Sequence, residues 1–127
     1  MSTITTGNKG EDLAYKYLQK QGYRILERNF RIRGGEIDIV GGGEIDIVAR
    51  EGDTLVFIEV KTRYSHDFGP PVESMTFWKI KALLKTARFY IQKIGWDDRE
   101  YRLDFVGVDF AESKDNPKIE LIKNITS

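Results

Sequence analysis

Apolar residues recur near the start of the chain with helical spacing. Ala14, Tyr17, Leu18 and Gln21 mark one face of a helix predicted from about Asn8 to Gln21, following the i, i+3, i+4, i+7 pattern of an amphipathic helix. Thr6 or Asn8 can cap it and Gly22 is a fitting stop. Tyr23 to about Arg33 reads as a strand carrying Arg24, Arg28, Arg31 and Arg33. Two alternating runs follow, Glu44 to Arg50 and Thr54 to Lys61, joined by Glu51-Gly52-Asp53. After a Gly/Pro loop around Phe68-Gly69-Pro70-Pro71 the helical period returns. Phe77, Ile80, Leu84, Ala87, Ile91 and Ile94 predict a helix from about Ser74 to Ile94, with Lys79, Lys81, Lys85, Arg88 and Lys93 on its other faces and Gly95 at its end. Strands at about Glu100 to Phe110 and Pro117 to Ile125 complete the order α, β, β, β, α, β, β. That order implies an α/β fold, a mixed β-sheet flanked by helices. No linker divides residues 1–127, so one domain is expected.

The hairpin sets a register. Gly52-Asp53 is a two-residue turn signal, because glycine supplies the positive φ of a type II′ turn. Counting back places Glu51 opposite Thr54, Val48 opposite Phe57 and Ile47 opposite Ile58. Continued, it places Asp46 opposite Glu59, Ile45 opposite Val60 and Glu44 opposite Lys61. Apolar residues then share one sheet face and charged residues the other. Two carboxylates directly opposite one another repel, which asks for a shared proton or a cation. Magnesium and manganese prefer such oxygen ligands, and Lys61 projects from the same face as Glu59. Two acids, a metal and a lysine suit phosphodiester hydrolysis. The plainer alternative is a charged strand face in which Glu44 and Lys61 form a cross-strand pair. Glu11, at i, i+3, i+7 with Ala14 and Leu18, lies on or beside the buried stripe of the first helix. It either joins the acids or complements the positive helix end.

Composition narrows the chemistry. Of 127 residues, 40% are hydrophobic and 31% charged, and twenty basic residues balance twenty acidic ones, so the sum of charge argues neither for nor against nucleic acid. With no cysteine, disulfides and thiolate metal sites are excluded. A single histidine, His66, cannot build a histidine-rich metal site, and it reads as a solvated loop residue. No serine motif accompanies it, which argues against a serine hydrolase. No run approaches the roughly 18 apolar residues of a membrane span, and no signal-peptide pattern opens the chain. A cytoplasmic protein without membrane attachment is expected.

The ordered set of motifs adds a resemblance. Asp46 followed by Glu59-Val60-Lys61 resembles the core of the restriction-endonuclease-like, or PD-(D/E)xK, superfamily. More narrowly, the chain resembles the YraN-like family through Gly10-Glu11-Asp12-Leu13-Ala14, Gly22-Tyr23, Arg28-Asn29-Phe30, Gly43-Glu44-Ile45-Asp46, Val56 through Arg63, Phe68-Gly69, Lys79 and Arg102-Leu103-Asp104-Phe105-Val106. The resemblance implies a restriction-endonuclease-like fold. It implies Asp46, Glu59, the Val60 carbonyl and Glu11 around one or two Mg2+ or Mn2+ ions, with Lys61 positioning water. It also implies DNA, including branched or structured DNA, as substrate. Arg24, Arg28, Arg31, Arg33, Arg63 and the helix lysines are candidate phosphate contacts. Phe77 and Trp78 are candidate base-stacking residues, although Phe77 fits the core stripe better. A catalytically silent nucleic-acid-binding module is the alternative from another class, and a partner-binding protein with a charged hairpin is a third.

One feature departs from the family pattern. Gly35-Glu36-Ile37-Asp38-Ile39-Val40 recurs as Gly43-Glu44-Ile45-Asp46-Ile47-Val48. The eight-residue period is too short for a solenoid. The hairpin count favours the second copy as the one in the sheet, with Glu36 and Asp38 in an inserted loop or displaced strand, since Asp38 would otherwise face Asp67 in a loop. The first copy in the sheet, or a homodimer with swapped segments, stays open.

Overall fold

The turn at Gly52 organises the sheet. In the computed structural model, which describes residues 6–126, with side chains from residue 9, Gly52 takes φ 61°, the positive value needed at the first position of a tight hairpin. It joins β2 (Gly43–Glu51) to β3 (Thr54–Arg63). The strands pair as counted, Glu51 with Thr54, Val48 with Phe57 and Ile47 with Ile58. There the ladder stops. The expected pairs Asp46–Glu59, Ile45–Val60 and Glu44–Lys61 are not formed, because β2 turns away while it continues to pair with β1 (Arg24–Ile32) as far as Gly43.

The turn away has a local cause. Asn29 of β1 adopts φ 56°, a left-handed conformation that asparagine tolerates better than most residues. Across it, Arg28 points to one side of the sheet and Phe30 packs on the other. Its neighbours on β2 behave alike: Ile47 joins one core cluster and Ile45 the opposite one. Strict alternation had put both isoleucines on one face. The break falls at Asp46.

β4 (Tyr101–Asp109) runs parallel to β3, from Leu55 beside Tyr101 to Arg63 beside Asp109. A parallel pair cannot be joined by a hairpin, and α2 (Phe77–Ile94) makes the crossover. β5 (Lys118–Ile122) completes a mixed sheet in the order β1-β2-β3-β4-β5. α1 (Thr6–Lys20) covers one face, with Ala14 and Leu18 against Ile47, Val56, Ile58 and Val106. α2 covers the other, with Leu83, Ala87, Tyr90 and Ile91 against Phe30, Ile45, Val48 and Phe57. The architecture is therefore α/β, a five-stranded mixed sheet flanked by two helices, as the pattern predicted. Leu55-Val56-Phe57-Ile58 is an unbroken apolar run because both of its faces are covered. Each such side chain stabilises the fold by about 1.5–3 kcal/mol.

Both helices differ in detail from their predicted faces. Gln21 is exposed, and the caps expected at Thr6 or Asn8 lie outside the described side chains. The second helix does not begin at Ser74. Pro71–Ser74 forms a separate 3-10 turn, and Thr76 caps α2 by accepting from the Lys79 N–H at 3.2 Å. Its buried stripe is Leu83, Thr86, Ala87, Tyr90 and Ile91. Phe77 and Ile94 at its two ends are exposed.

Gly10 sets how closely α1 approaches β3. A Cβ at this position would overlap the Thr62 hydroxyl. Gly10→Ala is expected to push α1 off the end of β3 and lower stability by about 1–3 kcal/mol, the usual range for overpacking, as read from chemical denaturation.

Candidate functional site

Where β2 and β3 part, the Val60 N–H has no ladder partner on β2. It donates instead to Asp46 Oδ2 at 2.8 Å, since a half-buried backbone donor needs an acceptor. That bond fixes the Asp46 carboxylate between two other acids. Glu59, one residue before Val60, is 11% exposed. Its carboxyl is pushed up to about 8, first by burial, then by the Asp46 charge and a hydrogen bond with Asp46, against the opposing influence of Lys79. Lys79 Nζ stands 3.6 Å from Glu59 Oε1. Glu11 reaches the same group from α1. It is 15% exposed and pairs with Arg28 Nη2 at 3.2 Å. Its carboxyl is also raised, by burial and by Asp46, with Arg28 and Asn29 lowering it.

Asp46 is thus the centre. Its charge acts on both Glu11 and Glu59, and among the described residues it has no ion-pair partner. Each outer acid is held by a cation on a different element, Arg28 on β1 and Lys79 on α2. As these side chains stand, no three acidic or histidine groups among the described residues converge closely enough to hold a metal ion. Asp46 and Glu59 meet directly, while Glu11 is turned toward Arg28. Lys61 is half-buried and lies beside Gly107 of β4. By strand alternation it projects on the same side as Glu59, and among the described residues it forms no ion pair.

The repeated segments occupy different environments. Gly43 through Val48 belong to β2, where Val48 is buried. Residues 35–40 lie in the preceding loop, tied down by an isolated bridge between Gly34 and Ile37. There Val40 is fully exposed. Asp38 is 100% exposed and pairs with Lys85 at 3.5 Å.

Two partners of the site lay beyond sequence reasoning. Lys79 stood in the run of motifs and among the helix lysines expected to contact phosphate, and no local spacing links it to Glu59. The crossover alone brings them together. Asn29 likewise becomes visible only through its left-handed backbone and its hydrogen bond to Glu11. Among the candidate phosphate contacts, Arg28 is committed to Glu11 and to Asp12 at 2.8 Å, whereas Arg24, Arg31 and Arg33 are exposed. His66 is exposed but not merely solvated, since its Nε2 lies 2.6 Å from Asp109 Oδ2. Among the described residues, no helix is long and apolar enough to cross a membrane.

A model of the uncharacterised protein family UPF0102 matches the chain in two pieces, residues 10–42 and 40–108, which overlap at 40–42 inside the Gly-rich loop. A UPF0102 protein of Geobacter metallireducens is 46% identical over 118 residues, covering 93% of this chain and 88% of the relative. One from Caldicellulosiruptor saccharolyticus is 42% identical over 124 residues, covering 98% of both. One from Clostridium botulinum is 42% identical over 119 residues, covering 93% and 90%.

Proposed function

The chain belongs to the uncharacterised protein family UPF0102, and within it we propose a metal-dependent nuclease that hydrolyses phosphodiester bonds of DNA, branched or structured DNA included, on a restriction-endonuclease-like fold. The observation that carries this reading is the contact between Asp46 and Glu59 where the β2–β3 ladder opens, with Lys61 two residues further along β3. A carboxylate held against the charge of a second one, as Glu59 is against Asp46, favours a cation in the same place. The donor set fits magnesium or manganese, which take carboxylate and carbonyl oxygens.

Asp46, Glu59 and the Val60 carbonyl would hold the ion, with Glu11 joining once its carboxylate leaves Arg28. The bound ion supplies Lewis acidity toward the phosphate and makes water a better nucleophile. The protein's residues do the rest. The Val60 N–H fixes the Asp46 carboxylate. Lys79 holds Glu59 in place, its ammonium 3.6 Å from Oε1. Lys61 orients water and stabilises negative charge growing on the phosphoryl oxygens. A second reading, a catalytically silent nucleic-acid-binding module, draws support from Glu11 and Glu59 already being paired with cations.

Manganese calorimetry and a cleavage assay on branched, single-stranded and duplex DNA separate the two. The parent and an Asp38→Asn variant are expected to bind manganese and cut DNA alike, because Asp38 is exposed in the loop. Asp46→Asn is expected to lose cleavage by at least about a hundredfold, the scale of one electrostatic contact in a hydrolytic site. DNA binding without cleavage in the parent would favour the silent module. Loss of activity in Asp38→Asn alone would sink the assignment of Asp46.

A further inference from the structure

We infer that the first turn of α2 is a stacking platform for unpaired nucleobases, so that the strand delivered to the acidic site is single-stranded. Phe77 and Trp78 are 70% and 73% exposed. Their rings touch edge to face, with centroids 5.3 Å apart. Burial of either ring would stabilise the fold by about 1.5–3 kcal/mol, so two neighbouring aromatic rings left in water mark a surface with a partner.

The surroundings say which partner. α2 carries Lys79, Lys81, Lys85, Arg88 and Lys93 and no acid, in a chain whose basic and acidic residues balance overall. Lys81 Nζ lies 5.6 Å from the Trp78 ring centre. Trp78, Lys81 and Lys85 line a hollow of about 190 Å³ together with Asp38 and Ile39 of the loop before β2. An apolar protein surface has no use for so many cations. A duplex offers phosphates but keeps its base faces stacked inside. An unpaired strand offers phosphates and open π-faces together, which is what aromatic rings set among lysines bind. The platform adjoins the site, because Lys79, the next residue after Trp78, is the one that reaches Glu59. As a rule of substrate choice this rests on the nuclease reading, but its physical grounds lie on α2.

The test is binding without metal. In EDTA, the affinities of the parent protein for a labelled oligothymidylate and for a duplex of equal length would be measured by anisotropy, beside Phe77→Ala, Trp78→Ala and the double variant. Both side chains are exposed, so the variants fold, as circular dichroism would verify. The parent is expected to prefer the single strand and to show quenched tryptophan emission on binding. Trp96 is buried, so the quench reports on Trp78. Each single variant is expected to lose about tenfold in single-strand affinity, with duplex affinity and manganese titration little changed. Equal affinity of the parent for both nucleic acids, no binding of either, or variants that bind as the parent does would overturn the inference. Self-association of the parent that Trp78→Ala abolishes, without oligonucleotide binding, would also overturn it. The two readings fail separately. Cleavage that needs Asp46 but ignores Trp78 would remove the platform alone. Single-strand binding that needs Trp78, in a protein that cuts nothing, would remove the nuclease alone.

Discussion

A Glu59→Gln protein is expected to bind no manganese and, free of metal, to be more stable than the parent at pH 8. The reason is the same for both effects. In the folded protein Glu59 is buried beside Asp46, and its carboxyl keeps its proton up to about 8 instead of 4.5. The unfolded chain releases that proton near the ordinary value. Between about 4.5 and 8 the folded state therefore binds more protons than the unfolded state, and stability falls as pH rises. The slope approaches about 1.4 kcal/mol per pH unit within that window. Glutamine has the shape of the protonated acid and cannot ionise, so the contribution of Glu59 to the slope disappears. At pH 8 the variant should exceed the parent by an amount on the order of 2–4 kcal/mol, while below about pH 4.5 the two should converge. Urea denaturation in EDTA across that range measures the difference. Saturating manganese should then stabilise the parent and leave the variant unchanged. Parallel curves for the two proteins from pH 5 to 8 would show that the carboxylates do not share a site.

The largest loss of stability is expected from Asp104→Ala, within β4 beside Ile58 of β3. Asp104 is completely buried on β4. Its Oδ2 accepts from the Tyr23 hydroxyl at 2.7 Å, and its Oδ1 accepts from Arg102 Nε and from the Asn124 N–H, both at 2.9 Å. Arg102 continues to Glu51 at 2.6 Å, and Glu51 to Lys123 at 2.9 Å. The network ties α1's exit, the β2–β3 turn, β4 and the C-terminal segment together. Alanine leaves a phenol, a guanidinium and a backbone N–H without their acceptor. Breaking a buried ion pair from one side lowers stability by about 3–5 kcal/mol, a large share of a typical total of about 5–15. The melting temperature should fall by roughly 10–20 °C. Tyr23→Phe removes two hydrogen bonds, one donated to Asp104 and one accepted from Arg102 at 3.1 Å, and should lower stability by only about 1–2 kcal/mol. A drop no larger for Asp104→Ala than for Tyr23→Phe would mean that Asp104 does not anchor the network.

The register from Glu51–Thr54 to Ile47–Ile58 was legible because a two-residue turn needs only counting, and each pair inherits its place from the one before. The two helices were legible because the period of 3.6 is written in neighbouring residues. Asp46 and Glu59 were legible for the same reason: the hairpin brings them to one place from 13 residues apart in sequence. The endpoint of that ladder was not legible. It depends on the left-handed backbone at Asn29 and on the Val60 N–H choosing a side chain over a strand, a competition among groups on three strands. Asp104 had a faint signal, a charge inside the apolar run Leu103 to Val106, but its partner Tyr23 lies 81 residues away.

By itself, then, the sequence determined the elements and the hairpin register from Glu51–Thr54 to Ile47–Ile58, because these follow from dihedral preferences and side-chain period acting over a few residues. Only the tertiary structure decided that Lys79 meets Glu59, that Glu11 faces Arg28, that the second repeated segment lies in β2 while the first lies in the loop, and that Phe77 stands in water rather than in the core. Those outcomes depend on where the crossover sets α2 against the sheet. That placement is settled by burial summed over both faces at once, and no local spacing contains it.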